Sequence, residues 1–270
     1  MRPKISIIGP SHRTHLWKPF YESIKTNLDF EVIFVTDIEP KPEEIPSKKE
    51  IYYESVEDAM DKEVIIHKPL PNFRWIYSTV KPAQCFEIAY RSSTGTHIIW
   101  TGDDFTYGPY CLDHLYAMHK SFYDHKVMIA CNVYQDGHPA RHEHVVPWDQ
   151  HTRLTTTGLI SKKAIEEVGG FADSTFCCGH FDVDLMMRIY ANGGRLYECP
   201  TAMAYEPHNE FHKKEANFAI TWKEELDYFT ELWYNKENGT TLSSRSKPFI
   251  PYTDENILTV SQGTMKGKWK

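Results

Sequence analysis

The chain has no CxxC pair, no apolar run near the roughly 18 residues that cross a bilayer, and no glycine-rich loop behind its first strand. Each absence removes a class. Without CxxC spacing or a secretory signal, the six cysteines (Cys85, Cys111, Cys131, Cys177, Cys178, Cys199) read as reduced thiols, which predicts a cytoplasmic protein. No transmembrane segment is expected. "GPSHRTHLW" lacks the run of glycines that a nucleotidyltransferase phosphate loop normally shows. Positive charge is also in short supply: 30 basic residues face 37 acidic ones, a net charge of −7. That balance argues against a general nucleic-acid binder, whose affinity rests on basic patches.

What is present is a core. Hydrophobic residues make up 41% of 270, enough for one large α/β domain. "KISIIGP" (4–10) is a short β-branched run stopped by Gly9 and Pro10. Leu16, Phe20, Ile24 and Leu28 then recur at helical spacing, with Ser11 or Thr14 as possible caps. "FEVIFVTD" (30–37) is a second buried strand. Residues 38–62 read as a variable loop with a short helix around Glu54–Met60, and "EVIIHK" (63–68) as a third strand. A helix over 82–94 leads through Gly95 into a strand at 96–101. Further on come a helix (109–123), a strand (127–134), helices at 161–171 and 181–192, short strands at 195–200 and 202–207, and a last helix over 214–234. This alternation predicts a mostly parallel sheet flanked by helices, with ligands beyond the carboxyl ends of its strands.

"HIIWTGDDFTYGP" (97–109) poses the chemical question. A buried strand runs into Gly102, Asp103 and Asp104. Adjacent carboxylates repel, so they need a cation or well-placed donors; a divalent metal is the obvious candidate, and capping of the following turn is the plain alternative. Asp37 also ends a strand. His138, His142 and His144 lie in a proline-broken loop (135–152), but their spacing fits no strong zinc pattern. Trp75, Tyr107 and Trp148 are rings able either to pack or to stack on a ligand.

Three stretches together resemble the GT-A-fold nucleotide-sugar glycosyltransferases, most closely their family 2: "ISIIGPSHRTHLWKPFYESIKTNLDFEVIFVTD", "SSTGTHIIWTGDDF" and "TTTGLISKKAIEEVGGFADSTFCCGHFDVDLMMRIYANGGRLYECP". The resemblance implies a GT-A (Rossmann-like) domain over 1–235, with a nucleotide-binding half (1–110) and an acceptor half (111–235). An arm or flexible tail follows over 236–270. It further implies sugar transfer from a nucleoside-diphosphate sugar, with UDP expected, to a hydroxyl of a glycan, a lipid-linked acceptor or a modified nucleobase, with inversion. Pro10, Ser11, Arg13, Asp37 and Asp103 would contact the nucleotide. Asp104 and His208 would hold Mn²⁺ or Mg²⁺, and Asp182 would be the general base. Two positions depart from the family pattern: Gly102 replaces the first acid of the DxD motif, and Phe181 replaces a glutamate. Two alternatives stay open, a phage-type enzyme acting on modified DNA bases and a non-catalytic nucleotide-sugar-binding module.

Overall fold

The computed structural model describes residues 4–54, 62–135, 138–139, 144–146, 148–207 and 216–258. Its strands are β1 (Ile5–Ser11), β2 (Phe30–Thr36), β3 (Ser47–Glu54), β4 (Lys62–Pro69), β5 (Phe73–Tyr77), β6 (His97–Trp100), β7 (Thr106–Tyr107), β8 (Val127–Gln135), β9 (His138–Pro139), β10 (His144–Val146), β11 (Asp149–Leu154), β12 (Gly158–Ser161) and β13 (Arg195–Glu206), followed by a small terminal pair. The helices are α1 (Trp17–Ser23), α2 (Pro82–Ser92), α3 (Cys111–Ser121), α4 (Lys162–Glu167), α5 (Phe181–Ala191) and α6 (Ala216–Trp233).

The central sheet runs β5-β2-β1-β6-β12-β8-β13-β7, with β9 beside β8. β5, β2, β1 and β6 are mutually parallel, as are β8 and β13; β12, β7 and β9 run against their neighbours. The mostly parallel α/β sheet read from the sequence is the one observed. Both its faces are covered, which is why β1, β2 and β6 read as nearly unbroken apolar runs. Ile8, Ile33, Val35, Ile98 and Trp100 face a core shared with α2, α5 and α6. Ile5, Ile7, Val32, Phe34 and Ile99 face the other, shared with α1 and α3. Between β1 and the segment after β6 the backbones nearly touch: a Cβ on Gly9 would lie 2.1 Å from the Thr101 carbonyl oxygen, so only glycine fits.

Local pattern misplaced two elements, and a third expectation falls mostly outside the described residues. β4, read as a sheet strand, instead forms a separate hairpin with β3, and β5 takes the place beside β2. Two short apolar runs of similar character cannot be ranked by periodicity; β5 wins because it feeds directly into α2. Of the short helix expected around Glu54–Met60, Glu54 is the last residue of β3 and 55–61 lie outside the described residues. The two strands expected at 195–200 and 202–207 are one strand, β13. Its pairing with β8 jumps from Cys199↔Cys131 to Met203↔Asn132, leaving residues 200–202 unpaired, because Pro200 has no N–H for the ladder.

Residues 236–258 pack against α2, α5 and α6. Tyr252 and Ile257 join the core of α2, α5 and α6, and Arg245 is almost fully enclosed. Ser161 caps α4, its hydroxyl accepting from the Ala164 N–H at 3.0 Å. All six cysteines are buried free thiols. Among the described residues no helix is long and apolar enough to cross a membrane.

At the amino end of β6, His97 Nε2 lies 3.3 Å from His119 Nδ1, both rings buried. Burial, the neighbouring His119 and the charges of Lys120 and Lys4 push the His97 pKa down to about 4, and burial lowers that of His119 too. A histidine held neutral in the fold binds its proton first in the unfolded chain. Stability is therefore full above the ordinary histidine pKa near 6.5 and falls as pH drops toward 4, by roughly 3 kcal/mol at about 1.4 kcal/mol per pH unit. In denaturant titrations the pH slope over this window is expected to flatten in His97→Asn; an unchanged slope would assign it to carboxylates elsewhere.

Candidate functional site

The parallel register Ser11↔Thr36 aligns the carboxyl ends of β1 and β2, and Ile8↔Trp100 brings the end of β6 alongside. The segments leaving these ends enclose a cleft of about 510 Å³. Pro10 to Arg13 come from β1, Val35 and Asp37 from β2, and Gly102 to Phe105 from β6. Ser78 to Pro82 and Cys85 come from the entry to α2, with Cys178 and Glu206 opposite. Five of the residues expected to contact nucleotide (Pro10, Ser11, Arg13, Asp37, Asp103) and the expected metal ligand Asp104 line this one cleft.

The question raised by the adjacent acids is answered within the chain. Asp103 Oδ2 accepts from Ser11 Oγ (2.8 Å) and from the backbone N–H groups of His12 (3.0 Å) and Arg13 (2.8 Å). Its Oδ1 accepts from Arg13 Nε (2.9 Å) and Nη2. Arg13 Nη1 lies 2.9 Å from Asp104 Oδ2, so one guanidinium bridges both carboxylates. Burial works against the Arg13 charge, but Asp103 and Asp104 more than offset it and hold its pKa above the ordinary arginine value. Asp103 thus folds the loop behind β1 around itself, and Ser11 and Thr14, expected as helix caps, are spent on Asp103 and on Glu44. Gly102 also acquires a reason. A Cβ there would stand 2.6 Å from Asp104 Oδ1, so an acid at 102 would displace the Asp104 carboxylate.

Carboxylates are the right chemistry for a hard cation, and Asp103, Asp104 and Glu206 all face the cleft. As arranged, however, they do not fit one, because Arg13 stands between the two aspartates. Among the described residues no three His, Cys, Asp or Glu side chains are grouped to hold a metal. His208 and His142 lie outside the described residues, as does the His144 side chain; His138 is exposed.

Asp37, at the rim, accepts from or shares a proton with His12 Nδ1 at 2.8 Å. Lys81, which the sequence reading did not single out, adds a second cation to the cleft. It sits immediately before the Pro82 that begins α2, and a lysine before a proline carries no local signal of function.

Asp182 lies in the first turn of α5, preceded by His180 in the left-handed conformation (φ 56°). Its Oδ1 accepts from the Val183 N–H at 2.9 Å, and burial pushes its pKa up to about 6. Asp182 does not itself line the cleft; Cys178, on the loop leading to it, does. That loop is clamped from α6. Glu225 accepts from the N–H groups of Cys177 (2.5 Å), Cys178 (2.9 Å) and Gly179 (2.6 Å), and burial carries its own pKa up to about 7 in spite of them. No sequence signal marks Glu225, which shares its amphipathic helix with three other acids, Glu224, Asp227 and Glu231. Tyr107 is buried, Trp75 packs on Trp17 and Trp148 on Phe229, so these rings serve the fold.

No family model matches the chain, and no curated protein matches it in sequence. Among solved structures it is similar to Staphylococcus aureus TarS. With TarS 1–349 in complex with UDP-GlcNAc the TM-score is 0.55 at 12% identity, covering 84% of this chain and 66% of that one. With TarS 1–349 in complex with UDP it is 0.52 at 12% identity, covering 87% and 74%. With a longer TarS structure it is 0.54 at 11% identity, covering 84% and 43%. The chain therefore spans just under two thirds of the first of these and under half of the longest. At such identities the likeness speaks to the fold, which is the GT-A-type α/β fold expected from the sequence.

Proposed function

We propose that the chain transfers a sugar from a nucleoside-diphosphate sugar, UDP-linked as in the TarS complex, to an acceptor hydroxyl with inversion at the anomeric carbon. The observation that carries this reading is the cleft at the carboxyl ends of β1, β2 and β6, where cations and acids converge and which Cys178, on the loop leading into α5, also lines. Asp37 and the apolar wall of Pro10, Val35 and Cys85 suit a nucleoside; Arg13 and Lys81 suit a diphosphate. As the acceptor oxygen bonds to the anomeric carbon, the bond from that carbon to the phosphate oxygen breaks and the nucleoside diphosphate departs. The hydroxyl proton passes to Asp182, whose raised pKa makes it a competent base near neutrality. The departing negative charge falls to Arg13 and Lys81, the two cations of the cleft.

The test is thermal shift and calorimetry with UDP, GDP and UDP-GlcNAc, each with Mn²⁺ and with EDTA. A ligand at 100 times its Kd stabilises the fold by about 2.7 kcal/mol, a shift easily seen. The expected result is saturable stabilisation by UDP and its sugar conjugate, and UDP release on adding a hydroxyl acceptor. No stabilisation by any diphosphate in either condition would end the proposal. Binding without UDP release across an acceptor panel would favour the non-catalytic module.

A further inference from the structure

Asp103 has no room for a metal. Its Oδ2 already accepts from Ser11 Oγ and from the His12 and Arg13 N–H groups, and its Oδ1 from Arg13 Nε and Nη2. Five donors thus meet a carboxylate with about four lone-pair sites. The set is anchored in the core: fully buried Trp17 donates from Nε1 to Ser11 Oγ at 2.6 Å, which leaves the hydroxyl proton for Asp103. Asp104 joins through Arg13 Nη1, 2.9 Å from its Oδ2, and is itself buried. Gly102 belongs to the same arrangement, since a side chain there would press on Asp104 Oδ1 and move the carboxylate that Nη1 meets.

These contacts build a cation with a set direction. Nε, Nη1 and Nη2 each give one N–H to the acids. Two of the guanidinium's five N–H groups are left, and Arg13 lines the cleft. Asp103 and Asp104 also hold its pKa above the ordinary arginine value, so the charge is present at any working pH. A departing diphosphate is stabilised best by charged donors already in place where its negative charge develops. A planar guanidinium meets phosphate oxygens with parallel N–H groups, and one clamped by two buried acids does so without reorganising.

We propose that Arg13 stands in place of a divalent ion: it is the cation that meets the diphosphate, Asp103 and Asp104 are the residues that position it, and the nucleotide binds without metal. The acids that end β6 then serve to aim an arginine and not to ligate an ion. This rests on the donor reading above and adds to it that no metal is needed.

The test is calorimetry of the full chain with UDP and with uridine, each in EDTA and in Mn²⁺. Wild type is expected to bind UDP with affinities within about threefold of each other in the two conditions. Arg13→Met should weaken UDP by about tenfold or more and leave uridine within about twofold, because uridine has no phosphate for the guanidinium to meet. Arg13→Lys should recover only part of the loss, since a single ammonium cannot bridge both acids and still present a fork. Asp104→Ala should weaken UDP through a misaimed Arg13, and Asp104→Asn, which keeps an oxygen for Nη1, should restore most of it. UDP binding tenfold or more tighter in Mn²⁺ than in EDTA would overturn the proposal and leave the donor reading standing. Equal losses of UDP and uridine in Arg13→Met would give Arg13 a structural role only and overturn it as well. If Arg13→Met does not fold, the wild-type comparison of EDTA with Mn²⁺ and the Asp104 pair still decide. If neither UDP nor uridine binds wild type in either condition, the donor reading falls and takes this proposal with it.

Discussion

Asp182→Asn is expected to cut sugar transfer by a factor of about 10² to 10⁴ while leaving UDP affinity within a few-fold of wild type. A general base acts as the acceptor bond forms, so its loss falls on the transition state and spares the donor complex. Asn is nearly isosteric and can still accept from the Val183 N–H, so the first turn of α5 should survive. The pH profile adds a second readout. With the carboxyl pKa raised by burial to about 6, wild-type kcat/KM should fall as pH drops through that value, because the protonated acid accepts no proton. In the variant this limb should vanish from the residual rate. Retained activity within a few-fold of wild type would remove Asp182 from the mechanism, and a product keeping the donor's anomeric configuration would refute inversion.

The largest loss of stability should follow Arg245→Ala. Arg245 leaves the arm over 236–258 and is 7% exposed; its Nη2 stands 2.7 Å from Asp173 Oδ2 and its Nε 3.0 Å from Asp184 Oδ1. Asp184 also accepts from Arg188 Nε (2.9 Å) and Trp233 Nε1 (3.0 Å), and both acids are fully buried. Removing one partner of a buried pair leaves uncompensated charge and costs about 3–5 kcal/mol. For a chain of this size that lowers Tm by roughly 10 °C. Because Asp184 is two residues from Asp182, loosening the arm should also loosen the helix turn that carries Asp182. A loss below about 1 kcal/mol in urea titration would show that the arm is held by Phe249, Tyr252 and Ile257 packing alone.

Much of this molecule was legible in the chain by itself. β1, β2 and β6 announced themselves because strands covered on both faces must be apolar throughout, and Asp37, Asp103 and Asp104 stood out as acids that end them. The helix start at Asp182 was equally local, flanked by its glycine stop at 193–194. These features depend on residues a few positions apart, where backbone conformation and hydrophobic period suffice. Tertiary structure decided the rest. Arg13 meets Asp103 across 90 residues, Glu225 reaches the loop at 177–179 across 46 to 48, and Arg245 reaches Asp184 across 61. The choice of β5 over β4 beside β2, and the fusion of two short runs into β13 across Pro200, also depended on which strands become neighbours. A charged side chain on its own reads as solvated surface. Only when the sheet register sets Ser11 beside Thr36 and Ile8 beside Trp100 does the loop behind β1 close over Asp103. The adjacent acids then acquire an arginine, which no local pattern encodes, because the low dielectric that makes such a pairing necessary exists only once the chain has folded.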